Sequence, residues 1–210
     1  MKKQNKKSEP SFYVNFEKVY ARNIDSNISL LNFLRHNCKF TGTKEGCSEG
    51  DCGACSVLIF DEKGSLAPVN SCILKVGQII DKNIVTIEGA SKLSSAKPLI
   101  QALNSKAASQ CGFCTPGFVM AALALKEKQK NPSESVIHDS LSGNLCRCTG
   151  YRPIVNGIQS LKEKIKFPMP INSKGSKLKT AIFGETTYIY PDSKKELIEF
   201  ISKEKNYTVL

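Results

Sequence analysis

The sequence predicts an α+β protein, in which a small mixed sheet with one helix precedes a bundle of helices. Up to Gly89, short segments rich in β-branched and aromatic residues alternate with turn formers, which is typical of strands. After Gly89, Ala, Ser, Leu and Lys dominate, and apolar residues recur at helical spacing. A segment rich in Pro, Ser and Gly, residues 167–177, then separates a third and shorter unit.

The first unit, residues 11–90, contains strand patterns and one helix pattern. FYVNF and VYARNI, with a polar turn between them, predict a hairpin, and CSVLIF, LAPV and NIVTIEG predict further strands. Between them, Leu30, Leu31 and Leu34 form an apolar stripe, which predicts a short helix capped by Ser26 or Asn27 and ending before Lys39. Residues 1–10, MKKQNKKSEP, are expected to form a basic disordered arm.

The second unit, residues 91–166, is predicted to be a four-helix bundle. One helix begins near Pro98 and a second at Thr115 with Pro116, where FVMAALAL is apolar all round and therefore predicts a buried helix. Ser133 caps a third helix that runs to about Leu141. In the fourth helix, the apolar stripe consists of Ile154, Ile158, Leu161 and Ile165.

Residues 167–180 are expected to be a linker, and residues 181–210 begin a third unit. Ser193 and Glu196 form a capping box before an apolar stripe, and YTVL at the end resembles a strand. A strand, a helix and one more strand are too little to bury a core of their own. This unit is therefore expected to be poorly ordered or docked on a partner.

Composition and charge exclude some classes of protein. The chain has 210 residues and a formal net charge of +11, but it contains no apolar run long enough to span a membrane and no secretion signal. We therefore expect a cytoplasmic protein with no membrane partner. Nine cysteines cannot all pair within one chain, and cytosolic thiols stay reduced, so metal binding or catalysis accounts for them better than disulfides.

The first four cysteines have the spacing of a plant-type 2Fe-2S ferredoxin. Three of them follow the pattern Cx4Cx2C, and one lies downstream; they are Cys47, Cys52, Cys55 and Cys72. Gly46, Gly50 and Gly53 lie in the same loop. Residues without Cβ permit positive φ angles and let backbone N–H groups approach the sulfurs of an anionic cluster.

A second four-cysteine pattern lies at helix boundaries, with Cx2C before one predicted helix and CxC before another; its members are Cys111, Cys114, Cys146 and Cys148. Two positive helix ends near these cysteines would favour a bound anionic cluster. Structural zinc is the main alternative, although its paired CxxC motifs are usually about 15–20 residues apart. Cys38 is assigned no role, and Phe113 is expected to shield the cluster from water. His36 and His138 show no partner pattern for a ligand role, and no nucleophile or acid–base constellation is visible.

Three segments resemble the iron–sulfur part of the molybdenum hydroxylase family, and within it the xanthine dehydrogenases: GTKEGCSEGDCGACSV, QCGFCTPGF and GNLCRCTGYRP, at residues 42–57, 110–118 and 143–153. The resemblance implies a ferredoxin-like β-grasp domain, then an all-α four-helix-bundle 2Fe-2S domain, then an incomplete start of a FAD-binding domain. It also implies that the first four cysteines hold the cluster nearer the flavin, and the second four hold the cluster nearer the molybdenum cofactor. Gln110 and Cys146 match residues that lie against the pterin of that cofactor.

The same resemblance implies the partners. Molybdopterin would belong to a large partner subunit, and FAD to the continuation of residues 181–210 or to another chain, because the glycine-rich flavin loop expected after YTVL is absent. The small subunits of aldehyde, carbon monoxide and N-heterocycle dehydrogenases also fit these motifs, but EGCSEGDCGAC favours the purine enzyme. The rival hypotheses are a zinc-stabilised module that binds nucleic acid through its lysines and a free-standing ferredoxin-like carrier. The leading hypothesis is an electron-transfer subunit with no nucleic-acid partner and no substrate-converting site of its own.

Overall fold

A mixed sheet forms the first part of the chain in the computed structural model, which describes residues 9–60, 64–168 and 180–209. Its strands are β1 (Ser11–Val14), β2 (Glu17–Tyr20), β3 (Ser56–Phe60), β4 (Leu66–Asn70) and β5 (Asn83–Val85), in the order β2-β1-β5-β3-β4. β1 and β5 are parallel, and the other neighbours are antiparallel. The predicted opening hairpin is confirmed. The strand predicted for NIVTIEG is shorter, because the helix α2 already begins at Ile87.

The helix predicted after β2 begins later than expected. α1 (Leu30–Asn32) continues as a π-helical turn, Phe33–Asn37, and its cap is Ser29 rather than Ser26 or Asn27. The Ser29 hydroxyl accepts a hydrogen bond from the Asn32 N–H at 3.1 Å. Residues before Ser29 cannot start the helix because their carbonyls bind elsewhere: those of Ser26 and Ile28 accept from the N–H groups of Gly77 and Val76.

The second part of the chain is helical. Residues 87–160 contain five helices, one more than the four predicted for residues 91–166. They are α2 (Ile87–Lys92), α3 (Lys97–Ser105), α4 (Thr115–Lys128), α5 (Glu134–Leu141) and α6 (Arg152–Ser160). α4 is buried along nearly its whole length, and Ser133 caps α5, both as predicted. None of the helices in the described residues is long and apolar enough to cross a membrane.

α6 ends at Ser160, so Leu161 and Ile165 do not extend its apolar stripe as the sequence predicted. Instead, the Ile165 N–H donates to the Lys126 carbonyl at 3.0 Å, and Ile165 is buried. The Leu161 carbonyl accepts a hydrogen bond from the Lys126 ammonium at 2.7 Å. α6 thus ends at Ser160 because Lys126 in α4 binds the residues that follow: its ammonium binds the Leu161 carbonyl, and its carbonyl binds the Ile165 N–H.

The sheet lies between two apolar cores. Along β3, Leu58 and Phe60 belong to the core shared with the helices, whereas Val57 lies in the core that contains α1. This alternation is the period of two expected for a strand buried on both faces. The helices therefore pack directly on the sheet.

The third unit begins with a hairpin rather than a single strand: β6 (Thr180–Phe183) pairs with β7 (Thr186–Ile189), and α7 (Lys194–Lys203) follows. Ala181 and Phe183 are buried in the same core as Phe12. The Tyr188 hydroxyl donates to the Ser26 carbonyl at 3.2 Å, across a large sequence separation. The hairpin is thus docked on the sheet of its own chain.

Some of the other expectations for the terminal segments concern residues outside those that the structure describes. Residues 207–209 of YTVL are not a strand, because they pair with no neighbouring strand in the described chain. Most of the predicted basic arm, residues 1–8, and of the linker, residues 169–179, lies outside the described residues. Ser193 caps α7 as predicted, with its hydroxyl accepting from the Glu196 N–H at 3.2 Å, and the Glu196 carboxylate accepts from the Asp192 N–H at 3.0 Å.

Lys126 gives the helical part a testable stabilising contact. It is fully buried, and its ammonium donates to the carbonyls of Lys130 and Leu161. We expect Lys126→Met, which keeps the side-chain length but leaves both carbonyls unpaired, to lower the free energy of unfolding by about 2 kcal/mol at neutral pH. Chemical denaturation measures this loss. Lys128→Met, on the exposed face of the same helix, is the control and should change it by less than about 0.5 kcal/mol.

The same contact carries a pH dependence. Burial, with a smaller contribution from the Lys162 charge, lowers the pKa of Lys126 below its ordinary value. Between the lowered folded pKa and the unfolded pKa of about 10.4, the unfolded chain binds more protons, so the contribution of Lys126 to stability rises with pH. The difference between the native protein and Lys126→Met should therefore widen in alkaline buffer. A difference that narrows would show that the charged form, and not the neutral amine, is favoured at this buried position.

Candidate functional site

The first cysteine set lies in the loop that leads into β3 and in the turn after β4. Its members are Cys47, Cys52, Cys55 and Cys72. The Cys47 N–H donates to the Cys52 sulfur at 3.4 Å, and the Cys52 N–H donates to the Cys47 sulfur at 3.3 Å. Cys55 is a near neighbour of Cys72 and, after burial, helps to raise the pKa of Cys72. Gly50, at φ +83°, donates its N–H to the Cys72 sulfur at 3.2 Å, as the predicted role of glycine in this loop requires.

The second cysteine set, Cys111, Cys114, Cys146 and Cys148, lies where α4 and α6 begin. The Cys111 and Cys148 sulfurs are 3.5 Å apart, and Cys146 is a near neighbour of Cys114. Cys114 is the N-cap residue of α4, and α6 starts four residues after Cys148. Helix N-termini carry partial positive charge, so both helix ends favour negative charge on these sulfurs.

The thiols within each set perturb one another's proton affinity. Backbone hydrogen bonds from Cys52, Glu49 and Asp51 lower the pKa of Cys47 to about 7. Burial, reinforced by Cys55, raises the pKa of Cys72 to about 12. Neighbouring thiols therefore cannot all ionise at neutral pH without a cation, because each new thiolate repels the next.

The second cysteine set shows the same pattern in both of its pairs. The Phe113 backbone and then Cys148 lower the pKa of Cys111, whereas the contact with Cys111 raises the pKa of Cys148. Burial and Cys146 raise the pKa of Cys114 to about 12. Burial also opposes ionisation of Cys146, but hydrogen bonds from Thr149 and the backbone outweigh it and lower the pKa. Each pair of the second cysteine set thus combines one thiol with a lowered pKa and one with a raised pKa.

The paired arrangement fits the ligand demand of a 2Fe-2S cluster. Each iron of such a cluster takes two protein ligands, and the thiols approach each other as two pairs in each set. In the part of the chain that the structure describes, no group of three or more His, Cys, Asp and Glu side chains is placed to hold one metal ion. The two thiol pairs of each set fit the ligand number of one such cluster, which would supply one-electron chemistry when bound.

A direct hydrogen bond joins the loops of the two sets, which the sequence did not predict. The Leu145 N–H donates to the Cys52 carbonyl at 3.0 Å, and Leu145 directly precedes Cys146. Beside it, the buried Asn144 side chain donates to the Gly53 carbonyl at 3.0 Å. The backbone of Cys52 is thus hydrogen-bonded to the residue that directly precedes Cys146 of the second cysteine set.

Two charged side chains fix the start of the first cysteine loop, and sequence reasoning missed both. The Glu88 carboxylate accepts from the Gly42 N–H at 2.7 Å and from the Thr86 hydroxyl at 2.7 Å. The Arg35 guanidinium donates to the carbonyls of Thr41 and Thr43 at 3.1 and 2.8 Å. The loop is therefore tied to the π-helical turn on one side and to α2 on the other.

The remaining predicted site residues lie at or beyond the edges of the cysteine sets. Gln110 is exposed directly before Cys111. Phe113 is 47% exposed, so it only partly shields the sulfurs. Cys38 shows no sulfur contact, and burial raises its pKa to about 11. His138 does have a carboxylate neighbour, contrary to expectation, since its Nε2 lies 3.6 Å from the Glu134 carboxylate in an exposed pair.

Comparison with known proteins agrees with this geometry. Residues 86–159 match a family described as a 2Fe-2S binding domain. Xanthine dehydrogenase of Emericella nidulans is 42% identical over 159 residues, which are 73% of this chain and 12% of that protein. Human aldehyde oxidase is 35% identical over 214 residues, which are 91% of this chain and 16% of that protein. The chain thus spans between an eighth and a sixth of the length of these relatives.

Solved structures give the same answer at the level of the fold. One chain in the crystal structure of quinoline 2-oxidoreductase from Pseudomonas putida 86 superposes with a TM-score of 0.62 at 35% identity, covering 72% of this chain and 90% of that one. Aldehyde oxidoreductase from Desulfovibrio desulfuricans superposes with a TM-score of 0.65 at 33% identity, covering 78% of this chain and 19% of that one. With two four-cysteine sites on this fold, the chain belongs to the 2Fe-2S subunits and domains of the molybdenum hydroxylase family.

Proposed function

We propose that this chain is the electron-transfer subunit of a xanthine dehydrogenase-like molybdenum hydroxylase. The first cysteine set holds one 2Fe-2S cluster in a ferredoxin-like domain, residues 11–90, and the second holds another in a helical domain, residues 91–166. The observation that carries this proposal is the separation of eight thiols into two sets of two pairs, each set with its own polar contacts. The chain converts no substrate; it takes electrons from a molybdenum cofactor and passes them towards FAD.

Exposure of the cysteines supports the position of the molybdenum-binding partner. Cys111 and Cys148 of the second cysteine set are exposed, whereas Cys55 of the first is buried. The exposed face also carries Gln110, next to Cys111. We propose that this face receives the large molybdopterin-binding subunit and that Gln110 and Cys146 lie against the pterin. The hydrogen bond from Leu145 to the Cys52 carbonyl then links the two cysteine sets inside the chain.

The flavin is proposed to lie outside residues 11–166. Residues 181–210 correspond to the beginning of a FAD-binding domain, and FAD is held by the continuation of that domain or by another chain. The docked hairpin supports this arrangement, because Tyr188 and Tyr190 fix the entry to that domain on the sheet that carries the first cysteine set. α7 has no buried residue, so one of its faces is available to the rest of a flavin domain.

A second substrate class has its own support. Human aldehyde oxidase matches 91% of this chain, against 73% for the fungal xanthine dehydrogenase, although at lower identity. An aldehyde, carbon monoxide or N-heterocycle dehydrogenase subunit is therefore the alternative function. The cysteine sets serve all of these reactions equally, because they handle electrons and do not contact the substrate.

The test begins with metal content. Protein purified anaerobically with iron available is expected to contain about four iron atoms and four acid-labile sulfides per chain, with two distinct paramagnetic signals after reduction. Zinc without sulfide would overturn the proposal in favour of a zinc-stabilised module. Copurification of a molybdenum-containing chain separates a subunit from a free-standing carrier. In that complex, xanthine should reduce both clusters, and reduction only by aldehydes or quinoline would support the alternative.

A further inference from the structure

Tyr151 has a strained backbone conformation beside the second cysteine set. Its φ of +67° lies in the left-handed region, although it is neither glycine nor asparagine. Such a conformation is strained for a residue with a Cβ, so it persists only where the surrounding contacts hold it. Here those contacts converge on one cysteine, Cys146, which lies five residues earlier in the chain.

The phenol oxygen and the backbone N–H of Tyr151 both form hydrogen bonds around Cys146. Its phenol oxygen accepts a hydrogen bond from the Cys146 N–H at 3.0 Å. Its own N–H donates to the Thr149 hydroxyl at 3.2 Å. The Thr149 hydroxyl oxygen in turn lies 3.1 Å from the Cys146 sulfur. The three residues form a closed ring of contacts whose last member points at a sulfur.

The available hydrogens decide which atom is the donor in the contact between Thr149 and the Cys146 sulfur. A cysteine that binds iron is a thiolate and has no hydrogen to donate. The Thr149 oxygen already accepts the Tyr151 N–H, so its single hydrogen is free to point at the Cys146 sulfur. The backbone of Tyr151 thus fixes the orientation of the hydroxyl, and a charge-assisted O–H···S contact results.

We propose that Thr149 sets the reduction potential of the cluster held by the second cysteine set. This inference rests on the proposed function, in which that set binds a 2Fe-2S cluster. Reduction by dithionite, or by the molybdenum centre of a partner chain, adds one electron to the cluster while the four thiolate ligands and the hydroxyl proton stay in place. The added negative charge strengthens the hydrogen bond from Thr149, so the hydroxyl stabilises the reduced state and raises the potential.

The first cysteine set is the internal reference for this effect. Its sulfurs accept hydrogen bonds from backbone N–H groups, among them those of Cys47, Gly50 and Cys52, and no side-chain substitution removes these donors. A change of Thr149 should therefore move one potential and leave the other unchanged. A general loosening of the protein would shift both potentials or lower the content of both clusters.

The experiment is a redox titration of the two paramagnetic signals in the native protein, Thr149→Val and Thr149→Ser. Valine keeps the branched shape and removes the hydroxyl, so the potential of the second cluster should fall while that of the first stays constant. Serine keeps the hydroxyl and should retain the native potential. Iron and sulfide analysis of each variant accompanies the titration. If Thr149→Val loses the second cluster, Thr149→Ala, which also lacks the hydroxyl but removes the apolar methyl next to the thiolate, replaces it.

The outcomes separate the two claims. If the native protein shows no pair of cluster signals, the proposed function fails and Thr149 has no cluster to tune. If both signals are present and removal of the hydroxyl leaves the second potential unchanged, the role of Thr149 is overturned and the proposed function stands. If Thr149→Ser, which keeps the hydroxyl, lowers the potential as far as Thr149→Val does, loss of the hydroxyl is not the cause of the shift, which also overturns the role of Thr149.

Discussion

Replacing Cys148 with alanine is expected to remove one of two paramagnetic cluster signals and about half of the bound iron, while the other signal persists. Cys148 contacts Cys111 at 3.5 Å, and the two form one of the thiol pairs of the second cysteine set. Its loss leaves one iron with a single protein ligand, and alanine offers no oxygen that could replace the sulfur. The first cysteine set makes its sulfur contacts independently, through the loop around Gly50. Low-temperature electron paramagnetic resonance and iron analysis measure the result.

Cys38→Ala is the matched control for this substitution. Cys38 packs against the sheet core, and its thiol is held protonated by burial, which raises its pKa to about 11. Removal of this small, half-buried side chain should lower stability by no more than about 1–2 kcal/mol and leave both signals intact. Loss of a signal in Cys38→Ala would mean that Cys38 is a ligand. Retention of both signals in Cys148→Ala would mean that the second cysteine set is assigned wrongly.

The grouping of the cysteines could be predicted from the sequence because it depends on local spacing. Ligand loops are short, and Cx4Cx2C, Cx2C and CxC fix which sulfurs can reach a common point within each loop. Local capping chemistry was equally predictable at Ser133 and Ser193, since the cap and its N–H partner are three residues apart. The β3 strand was predictable for the same reason, as its two buried faces require an unbroken apolar run.

Contacts between distant segments could not be predicted in this way. The Asn144 side chain meets the Gly53 carbonyl over a separation of 91 residues, and Glu88 meets Gly42 over 46. Neither contact leaves a periodic signal, since Asn and Glu are also common on solvated surfaces. The early end of α6 has the same origin, because Lys126 captures the Leu161 carbonyl from another helix. Propensity and spacing describe each segment, whereas these positions are set by packing across the core.

The third unit shows how a local pattern can be correct and its context wrong. The helix α7 and its Ser193 cap were present as expected, but the segment before it is a hairpin rather than one strand. The hairpin buries Phe183 and uses Tyr188 against Ser26, so it is stabilised by the sheet domain. A unit too small to bury its own core is ordered here by a surface that the sequence did not identify as its partner.

Gly53→Ala is expected to separate the two cysteine loops. Gly53 has a φ of +67°, and a Cβ at this position would lie 2.2 Å from the Gly143 carbonyl oxygen and 2.5 Å from the Asn144 side-chain nitrogen. The substitution therefore combines backbone strain with a clash against the segment that leads to Cys146. The Asn144 side chain must move, and the neighbouring hydrogen bond from Leu145 to the Cys52 carbonyl lengthens with it.

The expected loss of stability for Gly53→Ala is about 3 kcal/mol, from left-handed backbone strain and overpacking together. Thermal denaturation of the cluster-loaded protein measures it, and the magnetic interaction between the two reduced clusters should weaken at the same time.

Gly184→Ala is the strain control, because its φ is +55° and no atom lies within 4 Å of the added Cβ. Gly117→Ala is the clash control, because its Cβ would lie 2.2 Å from the Gly53 carbonyl oxygen on a helical backbone. Gly117→Ala should weaken the magnetic interaction as Gly53→Ala does, and Gly184→Ala should not. An undisturbed interaction in Gly53→Ala would show that the contact between Asn144 and Gly53 does not set the distance between the cysteine sets.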